Sequence, residues 1–324
     1  MITRFEIIGL NSSRVEATQI AGHCRACRHW VGTRTSLEDG VRATYLQLFV
    51  QSEPSLRLSA SFVSPPDPTL EGQFTRRLER VLEASIDVIS WSEVLQTIHG
   101  WASRHESRYV CICNVHSVVT ATQDPGFERV INEADLATPD GAPIAWMLRR
   151  LGYLQQQRIN GPDLMLKYCE QAALRGESVF LYGGTPETMQ RLQTGLLERF
   201  PALKIAGAIS PPFRALTPDE DAEVIATINA SNAGTVWVSL GCPKQEKWMA
   251  EHRHRIQAVM IGVGAAFDYH AGTTKRAPSW MQNHGLEWLH RMASEPGRLS
   301  RRYLQTNSIF LFKALRQLAR RPNA

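Results

Sequence analysis

The chain has 324 residues, 43% of them apolar and 21% charged, with a formal net charge of +5. Those proportions exclude a wholly disordered, collagen-like or coiled-coil protein, and the length suits one large domain or two smaller ones. Six cysteines at uneven spacing do not read as a disulfide framework, which points to a reducing compartment.

Residues 1–80 carry scattered charge, a Ser64-Pro65-Pro66-Asp67-Pro68 stretch and no sustained hydrophobic period, so they read as a weakly folded or poorly ordered extension. Glu6 interrupts the short apolar start, so no secretory segment fits there. Within the extension, His23-Cys24-Arg25-Ala26-Cys27-Arg28-His29 holds a Cys-x-x-Cys pair. A structural zinc needs four ligands, and no second knuckle follows, so no metal site is expected.

From about residue 81 the pattern becomes alternating strand and helix. Short apolar runs at 109–113, 136–138, 178–182, 235–240 and 259–263 predict strands. Helices are predicted at 92–102, 143–151, 162–174, 186–200 and 218–228, four of them with proline at the first position (Pro143, Pro162, Pro186, Pro218). The alternation predicts an α/β fold: a Rossmann-like, mostly parallel sheet with helices on both faces. The longest apolar run, 259–267, falls far short of the roughly 20 residues a membrane-spanning helix needs.

Ligands of such sheets bind beyond the carboxyl ends of the strands. Asn114 follows the first strand, and glycines follow three others: Gly183-Gly184-Thr185-Pro186, Gly241-Cys242-Pro243-Lys244-Gln245-Glu246, and Gly264-Ala265-Ala266-Phe267-Asp268. Glycine lets a ligand approach the backbone and a helix N-terminus favours anions, so the three together suggest a nucleotide or phosphorylated ligand. Asp140, in Thr138-Pro139-Asp140-Gly141, sits where a carboxylate could project into a cleft, although Pro-Asp-Gly is also ordinary turn chemistry. Two lookalikes are set aside. Phe267 occupies the third position of a partial dinucleotide fingerprint. Asp219-Glu220-Asp221 falls in a helix first turn, where carboxylates favour the helix dipole.

The basic excess is concentrated at the end. From Arg291 onward there are eight Lys and Arg against Glu295 alone, a net +7, leaving the preceding residues at −2. The same segment holds Ile309, Phe310, Leu311, Phe312, Leu315 and Leu318. As a helix it is basic and amphipathic, suited to a membrane interface. A terminal helix docked on the core accounts for the same pattern. No nucleic-acid-binding motif accompanies the charge, so no nucleic-acid partner is expected. Exposed apolar surface on the tail makes a homo-oligomer plausible.

Taken in order, several motifs resemble the WecG/TagA/CpsF glycosyltransferases, glycosyltransferase family 26. They are Asn114, Ala134-Asp135-Leu136 with Pro139-Asp140-Gly141, Gly183-Gly184, Gly241-x-Pro243-Lys244-Gln245-Glu246-Lys247-Trp248, Gly262-x-Gly264-Ala265-Ala266-Phe267-Asp268, Arg276-Ala277-Pro278, Gly285-x-Glu287-Trp288, Arg291, Glu295-Pro296, Arg298 and Arg301-Arg302-Tyr303. The resemblance covers roughly residues 81–312 and divides the chain into an α/β glycosyltransferase domain at 81–285 and a helical basic appendage at 286–324.

The resemblance implies inverting, metal-independent transfer from a UDP-sugar to an undecaprenyl-diphosphate-linked saccharide, with no cofactor, at the cytoplasmic face of the cell membrane. It implies Asp140 as catalytic base with Asn114 and Gln245 as active-site polar groups. Gly183, Gly184, Gly241, Gly264, Phe267 and Asp268 then fall to the substrate pocket, and Arg291, Arg298 and Arg301 to the departing diphosphate. One position departs: Ile112 stands where the family usually has threonine. Two other function classes stay open, a nicotinamide-dependent oxidoreductase built on the Gly262 region and a non-catalytic membrane-docking protein.

Overall fold

The computed structural model describes residues 76–294 and 296–320 and, nearer the start of the chain, two dipeptide strands, β1 (Gly22–His23) and β2 (Trp30–Val31), paired antiparallel. Cys24 and Cys27 lie outside the described residues.

Residues Gln73–Ala324 form one compact unit. It opens with an antiparallel hairpin, β3 (Leu78–Val81) and β4 (Ala84–Asp87). Val81, Ala84 and Ile86 are fully buried, and the Arg76 guanidinium donates to both oxygens of buried Asp87 at 2.8 and 2.9 Å. Folded structure therefore reaches back past residue 80, where the composition suggested an extension. A four-residue strand is too short for its alternation to stand out in sequence.

Six strands build the central sheet: β5 (Arg108–Cys113), β6 (Leu136–Pro139), β7 (Ser178–Gly183), β8 (Lys204–Ile209), β9 (Thr235–Ser239) and β10 (Val259–Gly262). Their order is β6-β5-β10-β9-β7-β8, and every neighbouring pair is parallel. β8 is not predicted from sequence because the small residues Ala206, Gly207 and Ala208 give it no run of large apolar side chains. Its glycine has a packing reason, since a Cβ at Gly207 would come within 2.4 Å of the Phe180 ring.

The helices follow in chain order. The first group is α1 (Trp91–Ser103), α2 (Val115–Ala121), α3 (Pro125–Asn132), α4 (Ala142–Arg150), α5 (Gly161–Arg175) and α6 (Pro186–Arg199). The second is α7 (Pro218–Ala230), α8 (Lys244–His252), α9 (Ala266–His270), α10 (Ser279–Asn283), α11 (Glu287–Ser294) and α12 (Pro296–Arg320). Side chains that accept from free N–H groups start several of them: Ser90 for α1, Asn160 for α5, Thr185 for α6 and Thr217 for α7. Asp219 to Asp221 form the first turn of α7, and Glu220 closes its capping box.

Alternation along the strands sorts the core into two layers. Tyr109, Cys111 and Cys113 of β5 face the layer that holds the hairpin, α2, α3, α4, α7, α8 and part of α12. Val110 and Ile112 face the layer of α1, α5, α6 and α9. With all six strands parallel, their carboxyl ends share one edge, which places Asn114, Asp140, Gly184, Gly241 and Gly264 along it.

α12 packs against α2 and returns to the hairpin. Thr306, Phe310 and Ala314 are buried, and Gln317 accepts from the Leu82 N–H at 2.9 Å while donating to the Arg80 carbonyl at 2.7 Å. Leu304, Leu311, Phe312 and Leu315 remain exposed. The apolar residues of the tail thus split between two faces, one docked and one open. Among the described residues no helix is long and apolar enough to cross a membrane.

Candidate active site

Asp140 stands at the turn between β6 and α4, its N–H bonded to the Cys113 carbonyl at 2.9 Å. Gly141 follows with φ +82, a conformation that favours glycine. Burial lifts the Asp140 carboxyl to about 6. Arg158 opposes that shift, Glu287 adds to it, and the Gly141 N–H and Arg291 again oppose it. A carboxylate poised there accepts protons far better near neutrality than an ordinary aspartate does.

Sequence reasoning missed Arg158, the principal cation facing Asp140. Its Nη2 donates to Glu287 Oε2 at 2.9 Å. Arg276 shares the same carboxylate through Nε at 3.3 Å, and also donates to Asp163 and to Asn160 Oδ1. Arg158 and Glu287, like Arg276 and Asp163, are more than a hundred residues apart in sequence, so no local pattern announces these pairs. Arg291 lies one turn after Glu287 on α11, its guanidinium 5.8 Å from the centre of the Tyr269 ring. Beside this cluster lies a cavity of about 350 Å³, lined in part by Trp91, Ala142, Arg149, Arg158, Asn160 and Lys167.

Asn114 caps α2: its Oδ1 accepts from the N–H groups of His116 at 2.9 Å and Ser117 at 3.2 Å. That role engages the carbonyl end of the side chain. Gln245, buried on α8, accepts from the Gly264 N–H at 3.1 Å and donates to Glu246 Oε1 at 2.9 Å. It therefore clamps the loop after β10 to α8. Burial raises the Glu246 carboxyl to about 6.

The glycines serve different ends. A Cβ at Gly183 would lie 2.3 Å from the Ser239 carbonyl oxygen, so close strand packing dictates that residue. Gly241 has φ +78, and a Cβ there would meet nothing within 4 Å, which leaves its backbone open. Gly184 and Gly264 also take positive φ, and a Cβ on Gly184 would lie 3.6 Å from the Phe267 ring. Phe267 is fully buried, so it supports this edge from below, while Asp268 is partly exposed in the first turn of α9. Ile112 packs into the α1/α5 layer with Ile159 and Leu164.

The backbone of α12 carries Arg298 and Arg301, whose side chains lie outside the described residues. α11 ends at Ser294 and α12 begins at Pro296, the interruption that the proline predicts. Among the described residues no group of three or more His, Cys, Asp or Glu could hold a metal ion.

The profile of the family described as Glycosyl transferase WecG/TagA/CpsF matches residues 79–324. A relative from Bacillus spizizenii, strain W23, is 31% identical over 202 residues, covering 62% of this chain and 77% of its own length. It is an N-acetylglucosaminyldiphosphoundecaprenol N-acetyl-beta-D-mannosaminyltransferase.

Proposed function

The chain belongs to the WecG/TagA/CpsF family of glycosyltransferases, and from that premise we propose that it moves a hexose or N-acetylhexosamine-type sugar from a UDP-sugar to an undecaprenyl-diphosphate-linked saccharide, in the synthesis of a surface or exopolysaccharide. The relative's lipid-linked acceptor supports this choice of acceptor class. The observation that carries the reading is Asp140: a carboxylate at the carboxyl edge of the sheet, lifted by burial to about 6 and faced by Arg158 and by Glu287 and Arg291 of α11.

In the proposed step an acceptor hydroxyl oxygen attacks the anomeric carbon of the donor. Its proton passes to Asp140, the new C–O bond forms, and the bond to the UDP oxygen breaks with its electron pair leaving on the diphosphate. A single displacement inverts the anomeric centre. General-base assistance of this kind is worth about 10²- to 10⁴-fold. Negative charge grows on the departing diphosphate, so cations placed there act chiefly in the transition state. Arg291, Arg298 and Arg301 fill that role because a guanidinium binds phosphate oxygens in pairs and stays charged. Gly184, Gly241 and Gly264 let the nucleotide approach the backbone at the sheet edge.

The enzyme would work peripherally on the inner face of the cell membrane. Leu304, Leu311, Phe312 and Leu315 form the exposed face of α12, beside Lys313, Arg316 and Arg320. Apolar residues flanked by cations suit the interface of an anionic bilayer.

The test is transfer from a panel of UDP-sugars to a lipid-linked N-acetylglucosamine diphosphate acceptor by the full chain. Wild type should release UDP and extend the acceptor. Asp140→Asn should bind UDP and turn over at least 100-fold more slowly, on the order of what a general base supplies. Equal turnover by the two proteins would remove Asp140 from the reaction.

A further inference from the structure

Glu287 opens α11, and two arginines of the α/β body hold its carboxylate. Arg158 reaches it at 2.9 Å from the segment before α5, and Arg276 at 3.3 Å from the segment before α10. All three side chains are less than one-fifth exposed, a setting in which ion pairs are weakly screened by solvent. Two residues earlier the chain makes a second contact with the same region: a Cβ on Gly285 would stand 2.4 Å from the Cβ of Ala142, which is two residues after Asp140. The start of α11 is thus fastened beside the loop that carries the base.

Helical geometry then matters. Residues four apart share a face, so Glu287 and Arg291 project together from α11. Both act electrostatically on Asp140, Glu287 raising and Arg291 lowering its proton affinity. Arg158 donates to Glu287 and also acts electrostatically on Asp140, so one guanidinium influences two carboxylates.

We propose that Glu287 is a positioning residue of the transferase: it docks α11 on the base loop and, by engaging Arg158, keeps that guanidinium from neutralising the Asp140 carboxylate. The proposal rests on the reading of Asp140 as the base. When α11 is docked, the charge of Arg158 is divided between two acids and Asp140 keeps a high affinity for the acceptor's proton. When α11 is away, Arg158 serves Asp140 alone and weakens it as a base. The helix that delivers Arg291 to the leaving group therefore also activates the proton acceptor, so base and leaving-group cation become competent together.

The charged groups that act on Asp140 among the described residues are Arg158, Glu287 and Arg291, and Asp140 in turn acts on the buried Cys113 thiol. Those around Glu287 are Arg158, Arg276 and the Tyr269 phenol, Arg276 being tied also to Asp163. Removing the Glu287 charge subtracts a repulsion from Asp140 and releases Arg158 towards it. Both changes favour the ionised base, so the effects add in one direction.

The experiment compares full-length wild type, Glu287→Gln and Glu287→Asp by kcat and KM against pH. The ascending limb set by Asp140 should move to lower pH by roughly half a unit or more in Glu287→Gln, and plateau kcat should fall several-fold because the base is weaker. Glu287→Asp should return the limb towards its wild-type position. A limb that stays in place while only KM or thermal stability changes would reduce Glu287 to a structural ion pair and overturn the proposal. Carbon-13 NMR of the aspartate carboxyls, with Asp140 assigned from Asp140→Asn, reads the same titration without turnover. An unmoved Asp140 resonance in Glu287→Gln likewise overturns it. Absence of transfer by wild type with every UDP-sugar would instead strike the function proposed above, and the NMR titration would still decide the role of Glu287.

Discussion

Gly285 and Ala142 meet at a separation that admits no side chain, since a Cβ on Gly285 would lie 2.4 Å from the Ala142 Cβ. Gly285 also holds φ +71, which an L side chain adopts only with strain. The entry to α11 is thereby fitted to the loop of Asp140. Gly285→Ala should displace that entry and lower kcat about tenfold or more, in line with the cost of misplacing catalytic groups. Ala142→Gly combined with Gly285→Ala removes the clash but not the positive φ, so activity should return in part. The measurement is steady-state turnover of both variants, with melting temperature as the control for folding.

The feature that would suit Asp140 to the proposed role of base also costs the fold stability. Burial raises its carboxyl to about 6, so the folded chain binds the proton more tightly than the unfolded chain does. Stability from this group is therefore fully present at low pH and is lost as pH rises towards and through about 6. Asp140→Asn carries no such penalty. It should be more stable than wild type by about 1–3 kcal/mol at pH 8, with the difference narrowing as pH falls towards 4. Denaturant midpoints across that range test it. A variant less stable than wild type at pH 8 would show that the carboxylate is compensated by its neighbours.

Much of this arrangement is legible in the sequence, but not always for the reasons the pattern suggests. The parallel sheet follows from short apolar runs alternating with proline-started helices, and the edge that carries Asn114, Asp140 and the glycines from where those runs end. Gly183 reads as a glycine that faces a ligand, yet the Ser239 carbonyl already requires it. Phe267 sits in the same kind of motif and belongs to the core. Arg158 escapes notice, and so does its pairing with Glu287, because an ion pair spanning 129 residues leaves no spacing to read. Asp140 can be singled out from sequence but not weighed, since its proton affinity depends on burial and on groups supplied by α11.

Glu246 holds the amide of Gln245 in one orientation, and its variants should separate charge from geometry. Gln245 Nε2 donates to Glu246 Oε1 at 2.9 Å while Gln245 Oε1 accepts from the Gly264 N–H at 3.1 Å. Glu246→Gln keeps an acceptor there and removes an acid that burial raises to about 6. It should be at least as stable as wild type above pH 6 and retain most activity. Glu246→Ala leaves a buried amide N–H unpaired, a cost of about 1–3 kcal/mol, and frees the amide to rotate away from Gly264. Turnover should fall with it. Equal activity in both variants would show that the amide needs no such support.

Arg76 anchors the start of the folded unit by occupying both oxygens of Asp87, whose carboxylate also accepts from the Ala137 N–H at 2.6 Å. Asp87 is fully buried, and burial already raises its carboxyl above the usual range. Arg76→Met leaves that acid without its counter-charge, which should destabilise the chain by about 3–5 kcal/mol. Asp87→Asn placed in the same chain should recover a large part of the loss. Urea unfolding of the single and double variants reads both numbers. A negligible effect of Arg76→Met would mean that Asp87 is neutral in the folded state at the pH tested.

The two apolar faces of α12 should respond oppositely to substitution. Phe310 and Ala314 are buried against α2, whereas Leu311 and Leu315, one position along from each, are more than half exposed. Phe310→Ala empties a filled site and should cost about 3–5 kcal/mol of stability. Leu311→Glu with Leu315→Glu adds charge to an open face and should leave stability within about 0.5 kcal/mol. On anionic phospholipid vesicles the order reverses: the double glutamate variant should lose binding at temperatures where it stays folded, because it removes apolar contact and adds repulsion from the headgroups. Co-sedimentation with vesicles and thermal melts measure the two responses separately. Retained vesicle binding by the double variant would assign membrane attachment to a surface other than α12.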